Sequence, residues 1–301
     1  MSRPPHPLPT QVGPRFVVSE AIDAGVSRER LRRADLDAPY AGTRVPAGSE
    51  LAHIDRARLL RARIGDHTFL SHATAAIALD IPVPSHAMHD ERPHLSVIAP
   101  ARAPHATGLR GHSIEASPLE VIHWQGMRVT GPARTWLDLA STGLPIDDLV
   151  IAGDRLLRWT DPLCTLEELT SHVLAHPRAR GTRAARGALP LLTDRSQSPR
   201  ESLVRLRLHA VGLPRPELNY VITGANGAFI ARVDLAFPEY KVLVEYEGEH
   251  HLRDPLQWNK DILRFNLLQN LGWICIRVEK LSAAAVQAQV ERALVLRGWR
   301  R

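Results

Sequence analysis

The sequence predicts an α+β protein of several domains, and three segments indicate this. Residues 20–35 read as two short helices around a glycine turn, residues 61–177 mix strand-like and helix-like segments, and residues 198–297 follow the order helix, three strands, helix, strand, helix. At 301 residues the chain is long enough for two or three domains that each bury a core. The expected division is 1–60, 61–177, a basic linker at 178–197, and 198–301.

Composition excludes several classes of protein. Charged residues make up 23% and hydrophobic residues 44% of the chain, as in ordinary globular proteins. Cys164 and Cys275 stand far apart, so we expect neither a disulfide framework nor a zinc site of Cys/His spacing. The first residues have no apolar stretch and no run of 18 apolar residues follows, which favours a cytoplasmic location without a membrane partner.

The N-terminal segment has the pattern of a winged helix-turn-helix. Residues 20–25 predict a helix closed by Gly25, residues 28–35 predict an arginine-rich second helix capped by Ser27, and residues 41–48 are placed as the wing. A small helical protein-contact domain is the structural alternative. If the segment binds DNA, the contacting side chains are its arginines: Arg28, Arg30, Arg32, Arg33 and Arg44.

The middle segment predicts an α/β domain. We expect a helix over 67–84 that ends before Pro82, strands at 94–100 and 110–116, a strand and helix over 127–141, and helices at 147–159 and 165–174. His72 and Asp154 stand out as polar residues, and we expect both to have structural roles.

An arginine-rich stretch joins the middle and C-terminal segments. Residues 178–207 contain eight arginines and two acidic residues, a local charge of +6 that equals the net charge of the whole chain. Such a segment can follow a phosphate backbone, although a genome rich in G and C would also enrich arginine. The residues we assign to DNA contact here are Arg180, Arg183 and Arg186.

Two adjacent strands carry the acidic residues with the most specific pattern in the chain. Residues 228–236 and 241–247 predict a hairpin, and a two-residue tip would pair Phe237 with Tyr240. Asp234 would then lie opposite Leu243 and diagonal to Glu245, on the same face as Glu245 and Glu247.

Neighbouring carboxylates repel one another unless a cation or protons offset their charge. Oxygen-rich sites suit Mg²⁺ or Mn²⁺, so we expect Asp234, Glu245 and Glu247 to hold such an ion. A solvated acidic face is the alternative. His250 and His251 follow closely, and a neutral imidazole can serve as a general base near neutral pH.

Five segments in the C-terminal part resemble a known family. They are SPRES at the first helix, RVDLAFPE, VLVEYEGEHH, WNKDILRFNLLQNLGW and ICIRVEK, which together cover roughly residues 196–282. They resemble the PD-(D/E)XK nuclease superfamily, in particular its very-short-patch-repair-like endonuclease domains. The resemblance implies a restriction-endonuclease-like α/β core and metal-dependent hydrolysis of DNA.

The resemblance also implies roles for particular residues. Asp234 corresponds to the metal-binding aspartate and Glu245 to the acid of the second motif, while Glu247 replaces the usual lysine. Either Glu247 is a further ligand, or a histidine performs the proton transfer, or the site is inactive. Glu201 has the spacing of a capping box after Ser198, and the resemblance would also bring it to the metal.

Asp261 and Arg264 share one face of the downstream helix and are either a surface pair or functional. In the functional interpretation Arg264 holds the scissile phosphate and Asp261 orients a histidine.

The phrases GVSRERLRRADL and GTRVP, and SHATAA further on, are similar to abortive-infection-type antitoxins over most of residues 10–175. The combined expectation is an endonuclease with DNA and a cognate toxin protein as partners. The alternatives are a non-catalytic regulator or antitoxin with a degenerate nuclease fold, and a nuclease toxin restrained by its own N-terminal half.

Overall fold

The computed structural model describes residues 6–84, 90, 92–224, 226–246, 255–278 and 283–300, with the backbone alone at 246, 255–262 and 283–284. Over these residues the chain is an α+β protein with three β-sheets, in agreement with the predicted class. None of the helices described is at once long enough and apolar enough to cross a membrane.

Helices and strands are numbered here in chain order. The α-helices over the described residues are α1 Val18–Asp23, α2 His53–Ile64, α3 His72–Ala78, α4 Pro132–Ser141, α5 Ile146–Leu157, α6 Leu166–Ala175, α7 Thr182–Ala188, α8 Pro199–Ala210, α9 Pro255–Asn270 and α10 Ala283–Leu296. The strands are β1 Phe16–Val17, β2 Leu36–Asp37, β3 Thr43–Pro46, β4 Phe69–Leu70, β5 His94–Ile98, β6 Arg110–Ile114, β7 Val121–Trp124, β8 Met127–Thr130, β9 Glu217–Thr223, β10 Phe229–Phe237, β11 Val242–Tyr246 and β12 Ile274–Val278.

Residue contacts divide the chain into two compact units that each combine two segments. The first unit comprises Met1–Leu144 with Leu166–Arg186, and the second comprises Pro145–Thr165 with Gly187–Arg301. This grouping differs from the division at 60, 177 and 197, because α5 packs on α8 within the second unit. Asp154 of α5 accepts hydrogen bonds from the Ser202 hydroxyl and the Arg205 guanidinium of α8 at 2.6 and 2.8 Å.

The N-terminal part of the first unit contains α1 and a small sheet of order β1-β3-β2. Its core is formed by buried apolar side chains of this part: Phe16, Ala21, Val26 and Leu31. The prediction of a helix over 28–35 is wrong, since only Arg30–Arg32 form a single 3-10 turn. Leu31 is the one buried residue of this stretch, so a longer helix would have no apolar face to stabilise it.

The rest of the first unit is built on a mixed sheet of order β6-β5-β4-β8-β7. The strands predicted near 94–100, 110–116 and 127–130 are present, and α4 begins at Pro132 as expected. The helix expected over 67–84 is shorter, because Phe69 and Leu70 form the strand β4 at the centre of the sheet and α3 starts only at His72. β4 pairs with β5 on one side and with β8 on the other.

The second unit contains a four-stranded sheet of order β12-β11-β10-β9. β9, β10 and β11 are antiparallel neighbours, and α9 carries the chain across so that β12 runs parallel to β11. The predicted order of helix, three strands, helix, strand and helix is therefore what this region has. Apolar residues are buried on both faces of β11: Val242 and Val244 belong to one core cluster, and Leu243 packs in a second with Leu268 of α9.

Candidate functional site

The pairing of β10 with β11 determines where the acidic residues lie. Leu235 pairs with Val244 and Phe237 with Val242, because the 3-10 turn Pro238–Tyr240 and a left-handed Lys241 (φ 50°) make a four-residue connection. The expected pairing of Phe237 with Tyr240 is therefore wrong by two residues. Continuing the observed register sets Asp234 directly opposite Glu245. A shift of two residues preserves the side-chain alternation, so the expectation that the two acids share a face is unaffected.

Glu201 lies in the first turn of α8, where Ser198 caps the helix as expected, but the Glu201 carboxylate accepts from the backbone N–H of Gln197 and does not complete the predicted capping box. Its backbone N–H donates to Ser198 Oγ at 3.3 Å, and its carboxylate accepts from Ser198 Oγ, from the Gln197 N–H and from Asn219 Nδ2 at 3.0, 3.0 and 3.1 Å. Burial raises the pKa of Glu201, and the negative charge of Asp234 raises it further. Two carboxylates from different elements therefore lie close enough to repel each other.

Glu245 is buried and has a cationic neighbour on α9. Arg264 Nη2 lies 3.3 Å from Glu245 Oε2. Burial and the charge of Glu245 together raise the pKa of the Cys275 thiol on β12 to about 11. Arg264 is therefore in contact with Glu245, and its role in a site stays a prediction, whereas the side chain of Asp261 and the residues Glu247, His250 and His251 lie outside the described part of the structure.

A cleft of about 540 Å³ in the second unit is connected to one of the carboxylates, Glu201, through a shared neighbour. Its lining includes Asn219 of the edge strand β9, which donates to Glu201, together with three arginines: Arg195, Arg205 and Arg215. Trp159 is 40% exposed and lies within 5.9 Å of the Arg195 guanidinium and 5.5 Å of that of Arg232. Sequence reasoning singled out the arginine-rich stretch but missed Arg215, Asn219 and Trp159, for which no local pattern exists.

The arginines assigned to DNA contact fall into two groups. Arg30 forms a two-pronged ion pair with Asp35 at 2.7 and 3.0 Å, and Arg44 donates to the backbone carbonyls of Leu31 and Thr43. These two guanidinium groups are engaged within the protein. The others are exposed: Arg28, Arg32, Arg33, Arg180, Arg183 and Arg186.

Two further clusters of titratable side chains occur in the first unit, and sequence reasoning identified neither. Within the described residues, the groups of three or more metal-ligand types whose ligand atoms lie within 4.8 Å of one another are His72, His94 and His112, and Glu120, His172 and His176. Glu201, Asp234 and Glu245 do not form such a group over the same residues. Residues from distant parts of the chain build both clusters, so no local spacing could reveal them.

In the first of these clusters His72 and His94 are buried and His112 is half-buried. Burial lowers the pKa of His72 to about 2 and that of His94 to about 3. His112 Nε2 lies 3.0 Å from His94 Nδ1, and His72 Nδ1 lies 2.8 Å from Ser71 Oγ, so hydrogen bonds satisfy these rings. The structural role expected for His72 agrees with this packing, as does that of Asp154, which accepts a hydrogen bond from the Thr193 N–H at 2.8 Å in addition to those from α8.

Comparison with known proteins gives relatives but no function. No family model matches the chain. It is 36% identical over 171 residues to two uncharacterized proteins of Mycobacterium tuberculosis, MT2308 of strain CDC 1551 / Oshkosh and Rv2248 of strain ATCC 25618 / H37Rv. The match covers 57% of this chain and spans 61% of the length of each relative.

Proposed function

We propose that the chain is a metal-dependent DNA endonuclease whose site lies in the second unit. The observation that carries the proposal is the register of β10 and β11, which sets Asp234 opposite Glu245 while Glu201 lies close to Asp234. Acids gathered in this way repel one another, and a divalent cation relieves the repulsion. Carboxylate oxygens are the ligands that Mg²⁺ and Mn²⁺ prefer.

Each residue of the site has a distinct part in the proposed reaction. Asp234 and Glu245, with Glu247, would hold the ion, which when bound would supply an activated water and a polarised phosphate. Asn219 and Ser198 fix the orientation of the Glu201 carboxylate through their hydrogen bonds. Arg264 leaves its contact with Glu245 to donate to the scissile phosphate, because a guanidinium pairs well with phosphate oxygens. His250 or His251 takes up the proton of the attacking water.

The surroundings of the carboxylates fit a nucleic-acid substrate. The cleft that reaches Asn219 is lined by Arg195 and Arg215, which would attract a phosphate backbone, and by Arg205, which is paired with Asp154. Trp159 offers a partly exposed ring with two guanidinium groups nearby, and bases stack on aromatic rings and on arginine. We assign the exposed arginines of the first unit to further contacts with duplex DNA.

The contact between Arg264 and Glu245 also favours a second candidate function. Arg264 balances the charge of Glu245 as a metal ion would, and Glu247 stands where the superfamily has its lysine. In this alternative the chain binds DNA without cutting it, as a transcriptional regulator or as the antitoxin of a cognate toxin. The two candidates differ in one property, which is whether Mg²⁺ or Mn²⁺ converts bound DNA into cleaved DNA.

A cleavage assay with the full chain tests the proposal. Wild type and Asp234→Asn are incubated with supercoiled, nicked, mismatched and single-stranded DNA in Mg²⁺, in Mn²⁺ and in EDTA. Glu239→Gln is the matched control, because Glu239 is an exposed acid in the same hairpin. We expect wild type and the control to cut in either metal and Asp234→Asn to lose at least 100-fold in rate. DNA binding without cleavage by any of them would establish the regulator, and equal cleavage by Asp234→Asn would exclude this site.

A further inference from the structure

Two histidines and a glutamate converge in the first unit, whereas the proposed nuclease site belongs to the second. His172 lies on α6, and His176 follows directly after its last residue, so the i,i+4 spacing brings both rings to one side. Glu120 ends the 3-10 turn Pro118–Glu120 that leads into β7. Its Oε1 atom lies 3.4 Å from His172 Nδ1 and 3.1 Å from His176 Nε2. All three side chains retain partial access to solvent.

The hydrogen bond between His176 Nδ1 and the His172 carbonyl shows which ring nitrogen of His176 carries a hydrogen. His176 Nδ1 lies 2.9 Å from the His172 carbonyl oxygen, which can only accept, so Nδ1 must carry a hydrogen. In the neutral ring Nε2 then has a lone pair, and this lone pair faces the Glu120 carboxylate at 3.1 Å. Two acceptors at this distance require a positive charge between them. A divalent metal ion bound by both groups would supply this charge.

The geometry fits a metal ion. With bonds of about 2.0–2.1 Å, the ligand atoms of a tetrahedral zinc site lie about 3.3 Å apart, close to the two observed separations. Two histidines with one carboxylate are an established ligand set for zinc, and three protein ligands leave a position for water. Hydrogen bonds already orient two of the three ligands: the His172 carbonyl holds His176, and the Ser117 N–H donates to Glu120 Oε2 at 2.8 Å.

The other histidine cluster does not have this geometry. The rings of His72 and His112 are stacked, with centroids 3.9 Å apart and planes inclined by only 20°. Ring nitrogens bind a metal through lone pairs in the plane of the ring, so two nearly parallel stacked rings cannot direct their lone pairs at one ion. The rings of His172 and His176 are inclined by 38° with centroids 4.5 Å apart, which allows their lone pairs to converge.

We propose that Glu120, His172 and His176 form a binding site for a divalent transition-metal ion of the Zn²⁺ type. The ion joins the turn before β7 to the end of α6 and so stabilises the first unit. Arg134 has its Nη1 4.0 Å from Glu120 Oε2, and its positive charge weakens the site without blocking it. The site is independent of the proposed nuclease function, because it uses nitrogen ligands and lies in the other unit.

Zinc titration of the metal-stripped full chain tests this proposal. Calorimetry is performed with Zn²⁺ in excess Mg²⁺, which keeps oxygen-only sites filled with the harder ion. We expect one equivalent to bind, to raise the melting temperature, and to produce the intense visible spectrum of a tetrahedral site when Co²⁺ replaces Zn²⁺. His176→Ala and Glu120→Gln should each weaken Zn²⁺ binding by at least about 100-fold, because each removes a ligand.

Two control variants separate this site from other histidines. His123→Gln changes an exposed histidine on β7, and His112→Asn changes the stacked cluster, so both should bind Zn²⁺ as wild type does. Circular dichroism establishes that each variant is folded before titration. Absence of saturable Zn²⁺ binding, retention of binding in both ligand variants, or its loss in His112→Asn would overturn the proposal. If His176→Ala is unfolded, Zn²⁺ binding by Glu120→Gln alone decides whether the proposal stands.

Discussion

Acidification from pH 7 to pH 5 is expected to destabilise the first unit through His72 and His94. Both side chains are buried, and burial is the main reason that the pKa of His72 is lowered to about 2 and that of His94 to about 3. Repulsion from neighbouring basic side chains lowers both pKa values further, whereas the charge of Asp90 raises the pKa of His94. The basic neighbours are His112, His94 and Arg134 at His72, and His112, Arg110 and His53 at His94.

The sign and the size of the effect follow from proton linkage. Above the unfolded pKa of about 6.5 both states are neutral, so these histidines add no dependence on pH. Below it the unfolded chain takes up protons that the folded chain excludes, and stability falls as the pH falls towards the folded pKa. Between pH 7 and pH 5 each histidine costs about 2 kcal/mol, and the pair about 4 kcal/mol.

Urea titration at both pH values measures this loss. Because the chain has two units, unfolding of the first unit is followed by pulsed hydrogen exchange of peptides from β5. His94→Gln should lose about 2 kcal/mol less than wild type between the two pH values, since one excluded proton is gone. The comparison of wild type with variant cancels other titrating groups, including Asp138, whose pKa burial raises to about 6 and which acts in the opposite sense.

His123→Gln is the matched control, because His123 is exposed and should leave the pH dependence unchanged. The reasoning would be refuted if wild type and His94→Gln lost the same stability between pH 7 and pH 5.

Two further predictions concern the second unit and the arginines. Asp154→Ala should destabilise the second unit by about 3 kcal/mol in a urea titration, because it leaves the buried Ser202 hydroxyl and the half-buried Arg205 guanidinium without their acceptor. A loss below about 1 kcal/mol would contradict this. Asp148→Ala, which changes a half-buried acid in the same helix, is the control. Replacing Arg180, Arg183 and Arg186 together by alanine should reduce the steepness with which log K for DNA binding falls with log salt concentration, by up to about 3. Arg30→Ala should leave this salt dependence unchanged and reduce stability, because Arg30 is paired with Asp35. The reverse pattern would move the DNA-binding surface to the N-terminal arginines.

Local patterns predicted some parts of the structure well. The order of helices and strands from α8 to α10 follows from alternation and from turn residues, and so does the shared face of Asp234 and Glu245. The predicted register of β10 and β11 was wrong because the four-residue connection depends on a left-handed conformation of Lys241 (φ 50°), which is uncommon for lysine. The prediction of an arginine-rich helix over 28–35 was wrong because helical propensity alone does not stabilise a short helix that has no apolar face to bury.

The remaining parts depend on contacts between distant residues. The helix predicted over 67–84 begins later than expected, because Phe69 and Leu70 form a strand that pairs with β5 and β8. Pairing with distant strands outweighed the local preference for a helix. Glu120 meets His172 across 52 positions of the chain (172 − 120), and His72 meets His112 across 40 (112 − 72). Neither separation leaves a pattern in the sequence, so both clusters become visible only in the folded chain.

The central claim is that Asp234 and Glu245 share one divalent ion. The most direct test is the Mn²⁺ affinity of the full chain, measured by electron paramagnetic resonance for wild type, Asp234→Asn, Glu245→Gln and the double variant. If the two carboxylates bind one ion, each single change should remove most of the affinity and the double variant should be little worse than either, a strong departure from additivity. Additive effects, or wild-type affinity in both single variants, would show that the acids do not form one metal site.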